Sequence, residues 1–205
     1  MTLPSLGGFR CEILSWSAVQ RDAKRLSWNI KDSGYVPDII IAIGRGGYVP
    51  ARILCDYLSM NELTAIKVEH WRAAALKREK AIVKFPLNVK IGGKKVLLVD
   101  DLTDTGATLR VSVMYLKKFG PKEVRTAVLL HKTCSAMVPD YFVRKVIKWR
   151  WVIFPWHLWE DLTGFIKKFK AEGIHGEENI KHEFHRRYGI NVRTNVLVEL
   201  LSRLG

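Results

Sequence analysis

Cysteine is scarce in this chain. Cys11, Cys55 and Cys134 are odd in number and far apart, which argues against a disulfide framework or a zinc site and makes a reducing cytoplasm the expected compartment. Long apolar runs are missing too. None reaches the roughly 18 residues of a spanning helix, and no N-terminal signal sequence stands out, so no membrane is expected as a partner. Acidic residues are few: 20 Asp and Glu stand against 34 Lys and Arg, for a net charge of +14. Such a balance implies anionic partners, either nucleic acid or phosphorylated small molecules, and does not by itself choose between them. The common phosphate-loop signatures are absent. Gly106 lacks the G-x-x-x-x-G-K-[ST] context of a Walker A loop, and Val49 occupies the third-glycine position of G-x-G-x-x-G. The rest is ordinary. With 205 residues and 48% hydrophobic content, the chain has the size of one globular domain with room for an appendage.

The most informative stretch is 96–109. Val96, Leu97, Leu98 and Val99 form a short β-favouring apolar run that meets Asp100 and Asp101. A loop with Thr103, Asp104, Thr105, Gly106, Ala107 and Thr108 follows, and then Leu109, Val113 and Leu116 keep helical spacing up to Gly120-Pro121. Strand, acidic tip, hydroxyl-rich loop and helix N-terminus make an anion cradle, because the first N–H groups of a helix are unpaired and its dipole is positive there. Carboxylates are seldom buried without partners. Two of them at the carboxyl end of a strand suit a phosphorylated sugar whose hydroxyls and Mg²⁺ need acceptors.

A second cradle lies upstream. Residues 38–43 are an apolar, β-branched run suited to a central parallel strand. It enters Gly44, Arg45, Gly46 and Gly47, and Pro50 opens a helix carrying Ile53, Leu54, Tyr57 and Leu58. Arg45 adds a planar fork that matches phosphate oxygens. Before this, Val19, Ala23, Leu26 and Ile30 stripe a packing helix over 15–33 that Gly34 ends, with Trp16 and Trp28 expected at its core or edge.

Downstream the pattern is weaker. A strand from Leu63 runs into a basic segment, 67–95, which reads either as a solvated hairpin or as a mobile lid over anionic substrate. An apolar strand, 123–130, ends in His131 and Lys132, placing a lysine at the crevice end of a core strand. Trp149, Trp151, Trp156 and Trp159 fall within eleven residues; such rings either stack on a planar base or build a hydrophobic hood or interface. Residues 177–188 and 192–204 read as two helices around Gly189. Their outline matches a helix-turn-helix, and equally a packing or dimerisation tail.

The run Val-Asp-Asp-Leu-Thr-Asp-Thr-Gly-Ala-Thr resembles the PRPP-binding signature of type I phosphoribosyltransferases, and the strand-Gly-Arg-Gly-Gly-x-x-Pro run resembles the pyrophosphate loop of the bacterial xanthine-guanine type. The resemblance covers about residues 38–160. It implies an α/β fold with a Rossmann-like open, mainly parallel sheet, in a domain read over 1–163 that includes a hood at about 141–161. From Gly164 the resemblance stops; 164–205 reads as a C-terminal helical extension whose removal should leave the chemistry intact but disturb assembly or solubility. The resemblance also implies transfer of the ribose 5-phosphate of PRPP to N9 of guanine, hypoxanthine or xanthine, releasing pyrophosphate and a purine nucleotide. In the roles carried over, Asp104 is the general acid or base at purine N7. Asp100 and Asp101 hold ribose hydroxyls and Mg²⁺, directly or through water, and Thr103 to Thr108 bind the 5-phosphate. Gly44, Arg45, Gly46 and Gly47 bind pyrophosphate, with a cis peptide placed at Gly44-Arg45. Lys132 meets purine O6, Trp151 stacks on the base, and the Val152 carbonyl faces the 2-position. The family is usually dimeric or tetrameric. The rival is a regulator that senses PRPP or nucleotide and carries a nucleic-acid-binding helical pair; intact Asp104 and Lys132 favour the enzyme, so nucleic acid is not the expected partner.

Overall fold

The computed structural model describes residues 9–71 and 80–204. Its elements run β1 (Cys11–Ile13), α1 (Trp16–Asp32), β2 (Ile39–Gly44), α2 (Tyr48–Leu58), β3 (Leu63–Trp71), β4 (Lys80–Phe85), β5 (Lys95–Thr103), α3 (Ala107–Lys117), β6 (Glu123–Lys132), β7 (Tyr141–Val146), β8 (Trp151–Ile153), α4 (Leu158–Ala171), α5 (Glu177–Glu183) and α6 (Thr194–Arg203). The chain divides into two compact units. One is Ser17–Ile147; the other joins Lys148–Gly205 to the residues up to Trp16. No helix among the described residues is long and apolar enough to cross a membrane.

The unit Ser17–Ile147 is built on a six-stranded sheet in the order β4-β3-β2-β5-β6-β7. Every neighbouring pair is parallel except β3 with β4. All six residues of β2 are buried, as an apolar strand covered on both faces requires. From β2 the chain crosses through α2 to β3 on one side, and from β5 it crosses through α3 to β6 on the other. The crossovers therefore diverge between β2 and β5, the switch point where open α/β sheets bind ligands. One face of the sheet packs Ile39, Ile41, Ile43, Val96 and Leu98 against Leu109 and Leu116 of α3. The α1 stripe behaves as its spacing demands: Val19, Ala23, Leu26 and Ile30 are all buried. Trp16 and Trp28 are instead exposed, at 58% and 51%, and the Lys24 ammonium lies over the Trp28 ring. The basic segment forms part of the β3–β4 hairpin, where Lys67 and Lys84 both pair with Glu69 at 2.8 and 2.9 Å. Residues 72–79, in the middle of the expected lid, lie outside the described residues.

The other unit pairs β1 with β8 in parallel, Cys11 opposite Trp151. Its core joins Cys11 and Ile153 to Leu162, Phe165, Ile166 and Phe169 of α4, then to Ile180, Phe184, Tyr188, Leu197 and Leu200. The expected division at 163/164 falls inside α4, a helix the sequence reading did not foresee. The reason is a shared core: α4, α5 and α6 bury their apolar faces against the strand that carries Trp151. The helix expected over 177–188 continues from α5 as a π-helical turn, Phe184–Tyr188, and stops at Gly189 with φ +68°, a left-handed residue that suits glycine.

Candidate active site

Three adjacent strands, β2, β5 and β6, carry at or just beyond their carboxyl ends the expected site residues other than Trp151 and Val152. The β2 loop comes first. Its Gly44-Arg45 peptide is cis, at the bond the resemblance indicated. The glycines that follow have a steric reason. A Cβ at Gly46 would overlap the Asp101 carboxylate, and one at Gly47 would collide with the Val99 carbonyl and approach Ile43 N and O to 2.8 Å. Only bare backbone lies this close to β5. Arg45 itself is exposed.

β5 is longer than the apolar pattern indicated. It continues through Asp100 and Asp101 to Thr103, so both carboxylates project from a strand whose ladder fixes them. Asp100 is buried, and its Oδ1 accepts a hydrogen bond from the Asp101 amide at 2.9 Å. Burial, and then the neighbouring Asp101 charge, hold its carboxyl well above the usual carboxylate range. Two crowded carboxylates of this kind gain from a nearby cation. No cluster of three or more acidic, His or Cys side chains that could hold a metal occurs among the described residues. Two neighbouring carboxylates are a donor set that would fit a hard, water-carrying ion whose other ligands come from substrate.

The expected phosphate loop turns at Gly106, whose φ of +80° opens α3 at Ala107. The Ala107 amide donates to Thr105 Oγ1 at 3.3 Å. A loop the sequence reading passed over supports this turn from below. The Ala136 amide donates to the Thr105 carbonyl at 3.1 Å, Ser135 Oγ donates to the Met137 carbonyl at 2.8 Å, and a Cβ at Gly106 would come within 2.7 Å of Ser135 Oγ. The only local signal was a short polar connection after Lys132, which does not say what it packs on. Thr103 departs from its expected place. Its side chain is 3% exposed and its hydroxyl pairs with His131 Nδ1 at 2.8 Å, leaving only its backbone to the loop.

Lys132 is the last residue of β6 and is 1% exposed, yet its ammonium lies 3.0 Å from Asp104 Oδ2. The two residues expected at the 6- and 7-positions of a purine thus meet across neighbouring strands, beside the phosphate loop. A buried lysine next to a half-buried carboxylate offers a hydrogen-bond donor and a proton-carrying group at one point. Trp151 and Val152 belong to the other unit. Val152 is buried, and Trp151 is half-buried against that unit's core, its indole N–H without a hydrogen-bond partner.

Comparison with known proteins identifies the family. Residues 11–161 match the family model described as "Phosphoribosyl transferase domain". A xanthine-guanine phosphoribosyltransferase of Desulfotalea psychrophila is 34% identical over 143 residues, covering 70% of this chain and 84% of that protein. Among solved structures, a purine phosphoribosyltransferase from Pyrococcus horikoshii superposes with a TM-score of 0.64 at 35% identity, covering 71% of this chain and 93% of its own. A Neisseria gonorrhoeae protein with bound ppGpp superposes with a TM-score of 0.65 at 26% identity, covering 72% and 89%. With a family match over most of its length and loops of the expected geometry at the β2/β5 switch point, the chain belongs to the phosphoribosyltransferase family.

Proposed function

We propose that this protein is a 6-oxopurine phosphoribosyltransferase, joining N9 of guanine, hypoxanthine or xanthine to C1 of PRPP with release of pyrophosphate. The observation that carries this reading is the Asp104–Lys132 pair, set beside a phosphate loop on the neighbouring strand. An ammonium donates to a 6-carbonyl oxygen but has no acceptor for the amino group of adenine. Asp104 is placed to share a proton with N7, whose basicity changes as N9 is alkylated. The 5-phosphate is assigned to the turn at Thr105, Gly106, Ala107 and Thr108, where α3 begins. Arg45 and the glycine loop take the pyrophosphate; for Trp151 as the stacking ring and the Val152 carbonyl at the 2-position, the resemblance alone is the support.

Departure of pyrophosphate leaves an oxocarbenium-like ribose, so the reaction needs a neutralised leaving group more than a strong nucleophile. Asp100 and Asp101 would hold Mg²⁺, directly or through water, together with the ribose hydroxyls, and the ion when bound supplies charge neutralisation on the phosphate oxygens. Arg45 steadies the leaving pyrophosphate through its fork, and Asp104 holds the proton at N7. The test is turnover with PRPP, Mg²⁺ and each of guanine, hypoxanthine, xanthine and adenine, followed as pyrophosphate release. A 6-oxopurine should exceed adenine in kcat/KM by about ten- to a hundredfold, the cost of a buried donor facing a donor. Adenine as the best substrate overturns the purine assignment. PRPP binding without turnover on any base favours the sensor reading.

A further inference from the structure

Behind the Asp104–Lys132 pair lies a second cross-strand contact that the proposed chemistry does not use. Thr103 and His131 are register partners at the ends of β5 and β6, with Oγ1 and Nδ1 2.8 Å apart. Both are buried, at 3% and 4% exposure. On β7 the ring of Phe142 lies 5.1 Å from the imidazole, centroid to centroid, at 46°. The imidazole is thus held between a hydroxyl on one neighbouring strand and an aromatic ring on the other. Burial, and then the Lys145 charge, lower the His131 pKa, favouring the neutral ring. A neutral imidazole has one donor and one acceptor nitrogen, and a threonine hydroxyl satisfies either.

The position of this contact gives it a role. Thr103 is the last residue of β5, and Thr103–His131 is the last register pair between β5 and β6. Asp104 and Lys132 follow one residue later, where the β5 ladder has ended. Side chains alternate along a strand, so a slip of one residue would turn these groups to the opposite face. We propose that Thr103 and His131 form a positioning latch that fixes the ends of β5 and β6 against each other, and thereby sets the spacing of Asp104 and Lys132 for the purine. Neither is a catalytic residue; both act through the pair in front of them. This inference rests on the reading of Asp104 and Lys132 as purine-site groups.

Thr103→Val removes the hydroxyl at nearly constant shape, Thr103→Ser keeps it, and His131→Phe keeps a ring without nitrogens. Misplacement of reacting groups by about 1 Å costs on the order of a hundredfold in rate. Thr103→Val and His131→Phe should each lower kcat/KM for the preferred 6-oxopurine about tenfold or more and narrow its margin over adenine, while the KM for PRPP stays within about twofold. Thr103→Ser should restore the margin. The double variant should be no worse than the poorer single variant, because both changes break one contact. A purely structural contact would lower stability without moving the base preference. An unchanged margin in folded Thr103→Val, or single losses that multiply in the double variant, overturns the latch. A second readout does not need turnover: the ¹⁵N resonance of the Lys132 ammonium should shift in Thr103→Val and return in Thr103→Ser, and an unmoved signal overturns the latch as well. Wild-type protein inactive on every 6-oxopurine would count against the purine reading, and the Lys132 resonance would then still decide the latch.

Discussion

Removing either partner of the Asp104–Lys132 pair should abolish the purine chemistry, but the two changes should differ in what they do to the fold. The ammonium is 1% exposed and the carboxylate 18%. Asp104→Asn therefore takes the charge away from opposite a cation that stays buried. A buried charge that loses one of its partners costs up to about 3–5 kcal/mol. The amide oxygen can still accept a hydrogen bond from the ammonium, which brings the expected loss to about 2–3 kcal/mol. Lys132→Met fills the same volume with an apolar side chain and leaves a carboxylate that water can reach, at a cost of about 1 kcal/mol or less. At roughly 2–4 °C per kcal/mol for a chain of this size, Asp104→Asn should melt about 4–12 °C below the wild type and Lys132→Met within about 4 °C of it. Urea unfolding with unchanged slope, beside thermal melts at neutral pH, measures the difference. Equal losses, or Lys132→Met as the less stable variant, would refute the idea that unequal burial governs this pair.

Three further outcomes are expected. Arg45→Lys should weaken pyrophosphate and PRPP binding about tenfold, because a point charge does not replace the guanidinium fork; calorimetric titration with pyrophosphate checks it, and unchanged affinity would make the loop a structural turn only. Glu183 is buried beside Arg186 and Arg187, and its hydrogen bonds to Arg186 and then Arg187 lower its pKa from 4.5 to about 2. That depressed pKa stabilises the fold above about pH 4.5, and the contribution fades as pH falls towards 2. Glu183→Gln should lower stability at neutral pH and flatten this part of the acid melt, and an acid profile identical to the wild type would exclude Glu183 as a contributor. Truncation after Gly164 removes Phe165, Ile166, Phe169, Phe184, Leu197 and Leu200 from the core that holds Ile153. The shortened chain should aggregate or bind a hydrophobic dye, in line with the disturbed solubility expected from the sequence, and should lose activity, which the sequence pattern led us to expect would survive. A soluble, fully active 1–164 fragment would show that this core is dispensable.

Much of the candidate site's layout was readable because its pattern is local. A phosphate loop is a strand end, a turn and a helix start within about a dozen residues, so Asp100 to Thr108 announce themselves by residue type and order, as do Gly44 to Gly47. Lys132 was readable from its place after an apolar strand. Residues whose role depends on what lies across the sheet were not. Thr103 sits in the motif and looks like a phosphate ligand, yet its hydroxyl pairs with His131, a contact set by the register of two strands 28 residues apart. The Ser135 turn beneath Gly106 is equally silent in sequence, because a short polar loop carries no sign of what it packs on.

The sequence by itself determined the parallel α/β architecture, the two strand–loop–helix turns and the family, since hydrophobic periodicity and glycine placement act over short range. Tertiary structure alone decided three matters. It brought β2 and β5 together at the switch point, so that Gly46 lies against the Asp101 carboxylate. It buried Lys132 against Asp104. It also joined residues 9–14, β8 and the C-terminal helices in one core, where the sequence pattern had placed an appendage. In each case the determining quantity is which apolar surfaces meet, and burial against a distant segment leaves no mark in the periodicity of either partner.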